Sequence, residues 1–296
     1  MASRWAGTVA IAAVAVVLSA CGPAATETRT TVTKTVVAPA SSTSTSSMSA
    51  RSVAGAAELR RGWKALSRSL SQPVSVSIVG VGASSWQRIN LGTLGTQVAW
   101  STIKVPLAIA AERKDGPMTA TSAAITQSDN ASAEALWASL GGGSRASEAV
   151  MAVLRQAGSN AQVPSRRLLA GFTVFGQTPW PTSDAAIFAA NLPCLPDANR
   201  VLGYMGNVAG NQQWGAQIMA APTSTAVKGG WGPSPASGYV VRQIAILTFG
   251  GGVKTAIAMT TAASGGSLES GISTLNQVAR WLNTKVEQLP GGTCSR

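Results

Sequence analysis

The sequence predicts an α+β fold: a five-stranded antiparallel sheet flanked by terminal helices, with a trimmed all-helical lobe inserted between its strands. Three observations carry this reading. Apolar residues recur at steps of three and four near both ends, at Ala56, Leu59, Trp63, Leu66 and Leu70 and again at Leu268, Ile272, Leu275, Ala279, Leu282 and Val286, which is the spacing of an amphipathic helix. Inboard of those helices, at 74–81 and 240–260, the pattern has period two. Between about 101 and 221 helical patterns dominate, punctuated by Gly, Pro and a Ser-Asp-Asn turn.

Taken in order, Pro73 ends the first helix, and strand 74–81 places Val74, Val76 and Ile78 on one side. A second strand is expected near 86–91, followed by glycine-rich sequence into Val98-Ala99-Trp100 and a helix over 101–114 that Gly116-Pro117 breaks. Further helices are expected at 120–126, at Ala133 through Leu140 up to Gly141-Gly142-Gly143, at 144–157 and at 184–191, with 164–180 irregular. Strands resume at 225–231. Segments 240–249 and 253–260 form a hairpin across Gly250-Gly251-Gly252, and Ser267 is placed to cap the last helix.

The amino terminus reads as an export signal. Arg4 precedes an apolar run from Val9 to Leu18 that is shorter than the ~20 residues of a membrane span. Leu18-Ser19-Ala20-Cys21 resembles a bacterial lipobox, which implies a signal peptide over 1–20 and lipidation (palmitate) of Cys21; an ordinary signal peptide with an incidental cysteine is the alternative. Residues 21–50 are rich in Ser, Thr, Ala and Pro and read as a tether, leaving 51–296 as the folded domain. The expected location is the outer face of the cytoplasmic membrane, facing the cell wall. With Cys21 lipidated, Cys194 and Cys294 remain, either disulfide-bonded in that oxidising compartment or as two buried thiols. Net charge is +12, but the 23 Lys and Arg are scattered without interleaved aromatics, so anionic wall or membrane partners are expected rather than nucleic acid.

The chain has no histidine. That removes Ser-His-Asp and Cys-His catalysis and the common zinc sites, so no metal or cofactor is expected and acid–base work falls to Lys, Asp, Glu, Tyr or hydroxyl groups. Ser101-Thr102-Ile103-Lys104 meets that requirement: on a helix, Lys104 lies one turn from Ser101, within reach of its hydroxyl. As an isolated hit it reads better as an N-cap serine followed by an exposed lysine.

It is not isolated. Ser101-Thr102-Ile103-Lys104, Ser128-Asp129-Asn130 and Lys228-Gly229-Gly230 occur in the order of the Ser-x-x-Lys, Ser-Asp-Asn and Lys-Thr-Gly elements of serine β-lactamases and penicillin-binding proteins, and the chain resembles that class A-like, D,D-peptidase-like family over about 51–290. The lipobox and the Trp after Lys-Gly-Gly suggest an actinobacterial cell-wall lipoprotein branch. The resemblance implies a β-lactamase/transpeptidase-like fold. It further implies Ser101 as acylated nucleophile, Lys104 as its base, Ser128 as proton relay to the leaving nitrogen and Asn130 as a ligand of the substrate amide or of Lys104. Lys228 would hold the substrate carboxylate with Gly230 alongside, Trp231 would complete an oxyanion hole through its N–H, and Arg242 would assist with the carboxylate. Peptidoglycan stem peptides or β-lactams are the implied ligands of a monomer. Lys254-Thr255-Ala256 is a decoy, because only Lys228 leaves a full hairpin behind it.

Four departures temper the implied hydrolase. No Asp or Glu occurs between Glu148 and Asp184, so the loop at 164–180 lacks the deacylating glutamate of class A enzymes. Ser101 and Ser128 are only 27 residues apart (128 − 101), Gly229 replaces a hydroxyl residue, and the Trp231 ring could close the cleft. The expectation is acylation with poor β-lactam turnover, or alternatively a catalytically inactive binding or scaffold lipoprotein.

Overall fold

The computed structural model describes residues 43–82 and 88–294. The signal peptide, Cys21, the tether up to residue 42 and Trp86 therefore lie outside the described residues. Among the described residues no helix is long and apolar enough to cross a membrane.

Helix α1 spans Thr43–Leu66, beginning inside the stretch assigned to the tether. Strands β1 (Val74–Gly80) and β2 (Ile89–Leu91) follow. A 3₁₀ turn, Trp100–Ile103, feeds α2 (Lys104–Asp115), in which Pro106 is tolerated because the first turn needs no amide donor there. The lobe continues through α3 (Thr119–Thr126), α4 (Asn130–Ser139), α5 (Gly143–Gln156), α6 (Thr182–Asn191) and α7 (Asn199–Met205). Two short strands, β3 (Gln97–Val98) and β4 (Pro179–Trp180), pair antiparallel across 80 residues of sequence and bracket the lobe's entry (179 − 98 = 81 between inner ends). Strands β5 (Ser224–Ser234), β6 (Gly238–Thr248) and β7 (Lys254–Ala263) precede α8 (Leu268–Asn283), whose N-terminus is closed by a Ser267–Ser270 capping box.

The main sheet has the order β2-β1-β7-β6-β5, all antiparallel, so β5 is an edge strand. Period-two alternation divides it between two cores. Ile244, Ile246, Ala256 and Ala258 face the lobe, whereas Val241, Ala245, Leu247, Ile257 and Met259 face α1 and α8, where Leu59, Leu275, Val278 and Leu282 meet them. Both faces being covered explains why all seven residues of β1 are buried.

Cys194 and Cys294 are disulfide-bonded with Cα atoms 5.3 Å apart, fixing the carboxyl terminus to the turn after α6. The chain thus takes the disulfide alternative over two free thiols.

Candidate active site

The edge strand β5 and the 3₁₀ turn before α2 meet at Gly230. A Cβ there would lie 2.9 Å from Ala99 O, 2.9 Å from Ser101 N and 3.0 Å from Thr102 N, so only glycine lets the strand come this close to the Ser101 backbone. Ser101 is the second residue of its turn, half-buried, and its N–H has no intrahelical acceptor. On β5 the Gly229 N–H donates to Gln212 Oε1 (3.1 Å) rather than to β6. Pairing runs without a bulge from Ser224 to Ser234, so the N–H of Trp231, two residues on, points off the same free edge. Ser101 N and Trp231 N–H therefore flank Gly230, the positions an oxyanion hole requires.

Lys104 opens α2 one residue after the turn and is 1% exposed. Its Nζ donates to Ser128 O (2.6 Å), Asp129 O (3.2 Å) and Asn130 Oδ1 (2.7 Å). No hydrogen bond joins it to Ser101 Oγ. Burial pulls its pKa down to about 8, against the opposing pull of the Asp129 and Glu134 carboxylates. Asp129 caps α4 by accepting from the Ser132 N–H (2.7 Å), and those bonds hold its own pKa low.

Lys228 shares the lobe face of the sheet with Ile244 and Ala258 and is fully enclosed. Its Nζ donates to Ser128 Oγ (2.9 Å), Gln212 Oε1 (2.6 Å) and Gly229 O (2.9 Å). Burial, then the charge of Lys104, drives its pKa well below the usual lysine value. The two lysines thus meet at Ser128, one at its carbonyl and one at its hydroxyl. Trp100 (φ 46°) and Ser128 (φ 58°) are the two non-glycine residues with left-handed φ among the described residues. Each adjoins or is a proposed catalytic serine, the usual location of stored backbone strain.

Gln212 is a site residue that sequence reading missed. Buried at 0% exposure, it accepts from Lys228 and Gly229 while its Nε2 donates to Ile125 O (2.9 Å) and Thr126 O (3.0 Å), tying β5 to the end of α3 just before the Ser-Asp-Asn turn. Gln177 does the same for the loop at 164–178. It accepts from the Leu168 and Leu169 N–H groups and donates to the carbonyls of Leu169, Phe172 and Thr173. That loop rests on Trp100, the neighbour of Ser101, through an edge-to-face Trp100–Phe172 contact at 5.1 Å. Isolated glutamines carry no sequence signal that would single them out.

Two expectations change in detail. Trp231 turns its ring to the α8 face, where it meets Trp214 edge-to-face at 6.5 Å, so the ring does not close the cleft over Ser101. Arg242 does share the lobe face with Gly230, but it is 1% exposed. Its Nη1 donates to the carbonyls of Gln97 (3.3 Å), Val98 (3.1 Å) and Trp180 (3.0 Å). With its guanidinium 5.6 Å from the Trp180 ring and its pKa lowered to about 9 by burial, Arg242 braces the β3–β4 pair through Nη1, while its Nε and Nη2 are buried without a hydrogen-bond partner. Among the described residues no carboxylate is hydrogen-bonded to Ser101, Lys104 or Ser128. Asp184, the first acid after the loop, accepts from Ser159 Oγ (2.6 Å) instead.

No family model and no curated relative matches the sequence. Solved structures do match in shape. The TLA-1 extended-spectrum β-lactamase superposes with a TM-score of 0.62 at 13% identity, covering 79% of this chain and 99% of that one. A β-lactamase from Xanthomonas campestris pv. campestris gives 0.58 at 17%, covering 78% and 98%. The reconstructed class A β-lactamase of the last common ancestor of Gram-negative bacteria gives 0.54 at 18%, covering 76% and 98%. At these identities the likeness speaks for architecture, and it agrees with the sheet order and inserted lobe described above: this chain has the serine β-lactamase fold.

Proposed function

We propose that the protein is a lipid-anchored, wall-facing serine acyl-transfer enzyme that forms an acyl-enzyme on Ser101 and releases it slowly. The observation that carries this reading is the convergence of Lys104 and Lys228 on Ser128, with Gly230 pressed against the Ser101 backbone. In its neutral form Lys104 takes the Ser101 proton as Oγ bonds to the substrate carbonyl. The N–H groups of Ser101 and Trp231 receive the charge on the carbonyl oxygen. Ser128 passes its proton to the leaving group as the acyl bond breaks and regains one from the Lys104 ammonium, which returns Lys104 to its neutral form; Lys228 polarises the Ser128 hydroxyl. Slow release follows from the absence of an acid between Glu148 and Asp184 to activate water. The Leu18–Cys21 lipobox supports the anchor, and peptidoglycan or another acyl-bearing wall component is the proposed partner.

A second reading, an acyl-binding scaffold without turnover, is favoured by one observation: Lys104 directs all three of its bonds to Ser128, Asp129 and Asn130, and none to Ser101. Rapid mixing with 4-nitrophenyl acetate separates the two. An acyl-transfer enzyme gives a burst of one nitrophenol per protein followed by a slow phase, with no burst in Ser101→Ala; a scaffold gives no burst in either.

A further inference from the structure

We infer that the loop tip at 165–171 is a bilayer-contact surface: Arg166 and Arg167 meet anionic lipid headgroups while Leu168 and Leu169 enter the acyl-chain boundary. The inference rests on the membrane location proposed above and does not need acylation at Ser101. All seven residues of the tip are exposed. Leu168 and Leu169 are 58% and 37% exposed, although the loop turns its other large apolar side chains inward. Phe172 packs on Trp100, and the enclosed Phe175 meets Trp137 at 5.7 Å. A lone exposed leucine is ordinary, but here two are adjacent and held out. Gln177 Oε1 accepts from both leucine N–H groups (3.0 and 2.6 Å), and its Nε2 donates to the Leu169 and Thr173 carbonyls (3.2 and 3.0 Å). A fixed main chain therefore presents the leucines, and little ordering entropy is lost when a surface receives them.

The charge beside them selects the partner. Arg166 and Arg167 are exposed and form no ion pair among the described residues. No Asp or Glu lies between residues 149 and 183 to offset them, and the whole chain carries +12. The first turn of α5, which holds a third exposed arginine, Arg145, adjoins the start of the loop, with Ser147 Oγ donating to Val163 O (2.6 Å). Glu148, one residue further along α5, leaves this group net positive. A second copy of the chain would set +12 against +12, which like charge opposes. A soluble polyanion would satisfy the arginines and leave the leucines in water. An anionic bilayer satisfies both, with guanidinium groups at the phosphates and apolar side chains in the boundary beneath. The contact is small, but it suffices for a chain whose anchor already holds the loop near the surface, where binding is intramolecular. Since Phe172 rests on Trp100, docking the tip turns the Ser101 side of the molecule towards the lipid.

The test uses the full chain on vesicles of phosphatidylglycerol and phosphatidylcholine in equal parts, doped with a phospholipid that carries a diazirine in its acyl chain. After flotation and irradiation, adducts are located by peptide mapping and normalised to the protein that floats. Adducts are expected on 166–172 and not on α8, which covers the sheet face opposite the lobe. Labelling of the tip is expected to fall at least ~10-fold in Arg166→Gln with Arg167→Gln, in Leu168→Ser with Leu169→Ser, and for the unchanged chain on phosphatidylcholine alone. The bonds from the leucine N–H groups to Gln177 are main-chain and survive these substitutions. A floating chain whose tip is unlabelled, or labelled no more than α8, overturns the inference. Labelling that survives either pair of substitutions, or the loss of the anionic lipid, overturns it too; survival in the leucine pair alone would mark a purely electrostatic contact of the kind a soluble polyanion makes. A chain that does not float removes the membrane location and the inference with it, while the nitrophenyl acetate burst reports separately on Ser101.

Discussion

Lys104 is the residue on which the proposed chemistry turns. An ordinary lysine is protonated at neutral pH and cannot accept the serine proton; burial lowers this one to about 8. Only the deprotonated form is a base, so the acylation rate rises with pH with a midpoint near 8. The Asp129 carboxylate pulls that value upward. Asp129→Asn, which removes the charge and keeps a good N-cap, therefore shifts the midpoint below 8 in the pH–rate profile of burst formation; an unchanged midpoint would remove Lys104 from the role of base. The same shift sets a stability slope. A lysine whose folded pKa lies below its unfolded value binds fewer protons when folded, so its contribution to stability rises with pH from about 8 towards 10.5. Ser101 and Lys104 were legible from their one-turn spacing, and Ser128 and Lys228 only through the resemblance to Ser-Asp-Asn and Lys-Thr-Gly elements. Gln212 was not, since a lone glutamine acquires its meaning only when α3 and β5 are brought together.

At the scale of elements, the site is a junction between an edge strand and a helix start. Gly230→Ala would put a methyl group against three backbone atoms of the Ala99–Thr102 turn. Displacing the nucleophile by a fraction of an ångström lowers the acylation rate by about 100-fold, while the far-UV spectrum and the melting transition change little. Retention of wild-type burst kinetics would contradict the placement of Ser101 against β5. Long strands and amphipathic helices announced themselves by period, and the Gly250–Gly252 turn by composition. Two-residue strands have no period to detect, which is why β3 and β4 were read as a turn and an irregular segment. The alternation along β5 puts Trp231 on the face opposite Lys228, but which face the lobe covers becomes evident only once the lobe is packed. For Arg242 the alternation gives the face but not the depth, and the depth is what brings its Nη1 to the carbonyls of β3 and β4.

At the scale of the molecule, two cores share one sheet, and a disulfide closes 100 residues of chain around the hairpins that carry Lys228. In the chain-entropy model a loop of that length contributes about 4–5 kcal/mol. Reduction, or Cys294→Ser, is expected to lower the denaturant midpoint accordingly without altering the acylation midpoint in pH; a loss below about 1 kcal/mol would mean the unfolded chain is already constrained. The loop at 164–178 is fastened by Gln177 and holds no acid, the feature behind the slow release proposed above. The central claim is therefore a serine that is acylated and held. Intact-mass and peptide mapping after brief exposure to a neutral thioester tests it most directly. The account predicts one acyl group per chain, on Ser101, persisting for minutes or longer after the excess reagent is removed and absent from Ser101→Ala; no adduct on Ser101, or one that vanishes as fast as it forms, contradicts it.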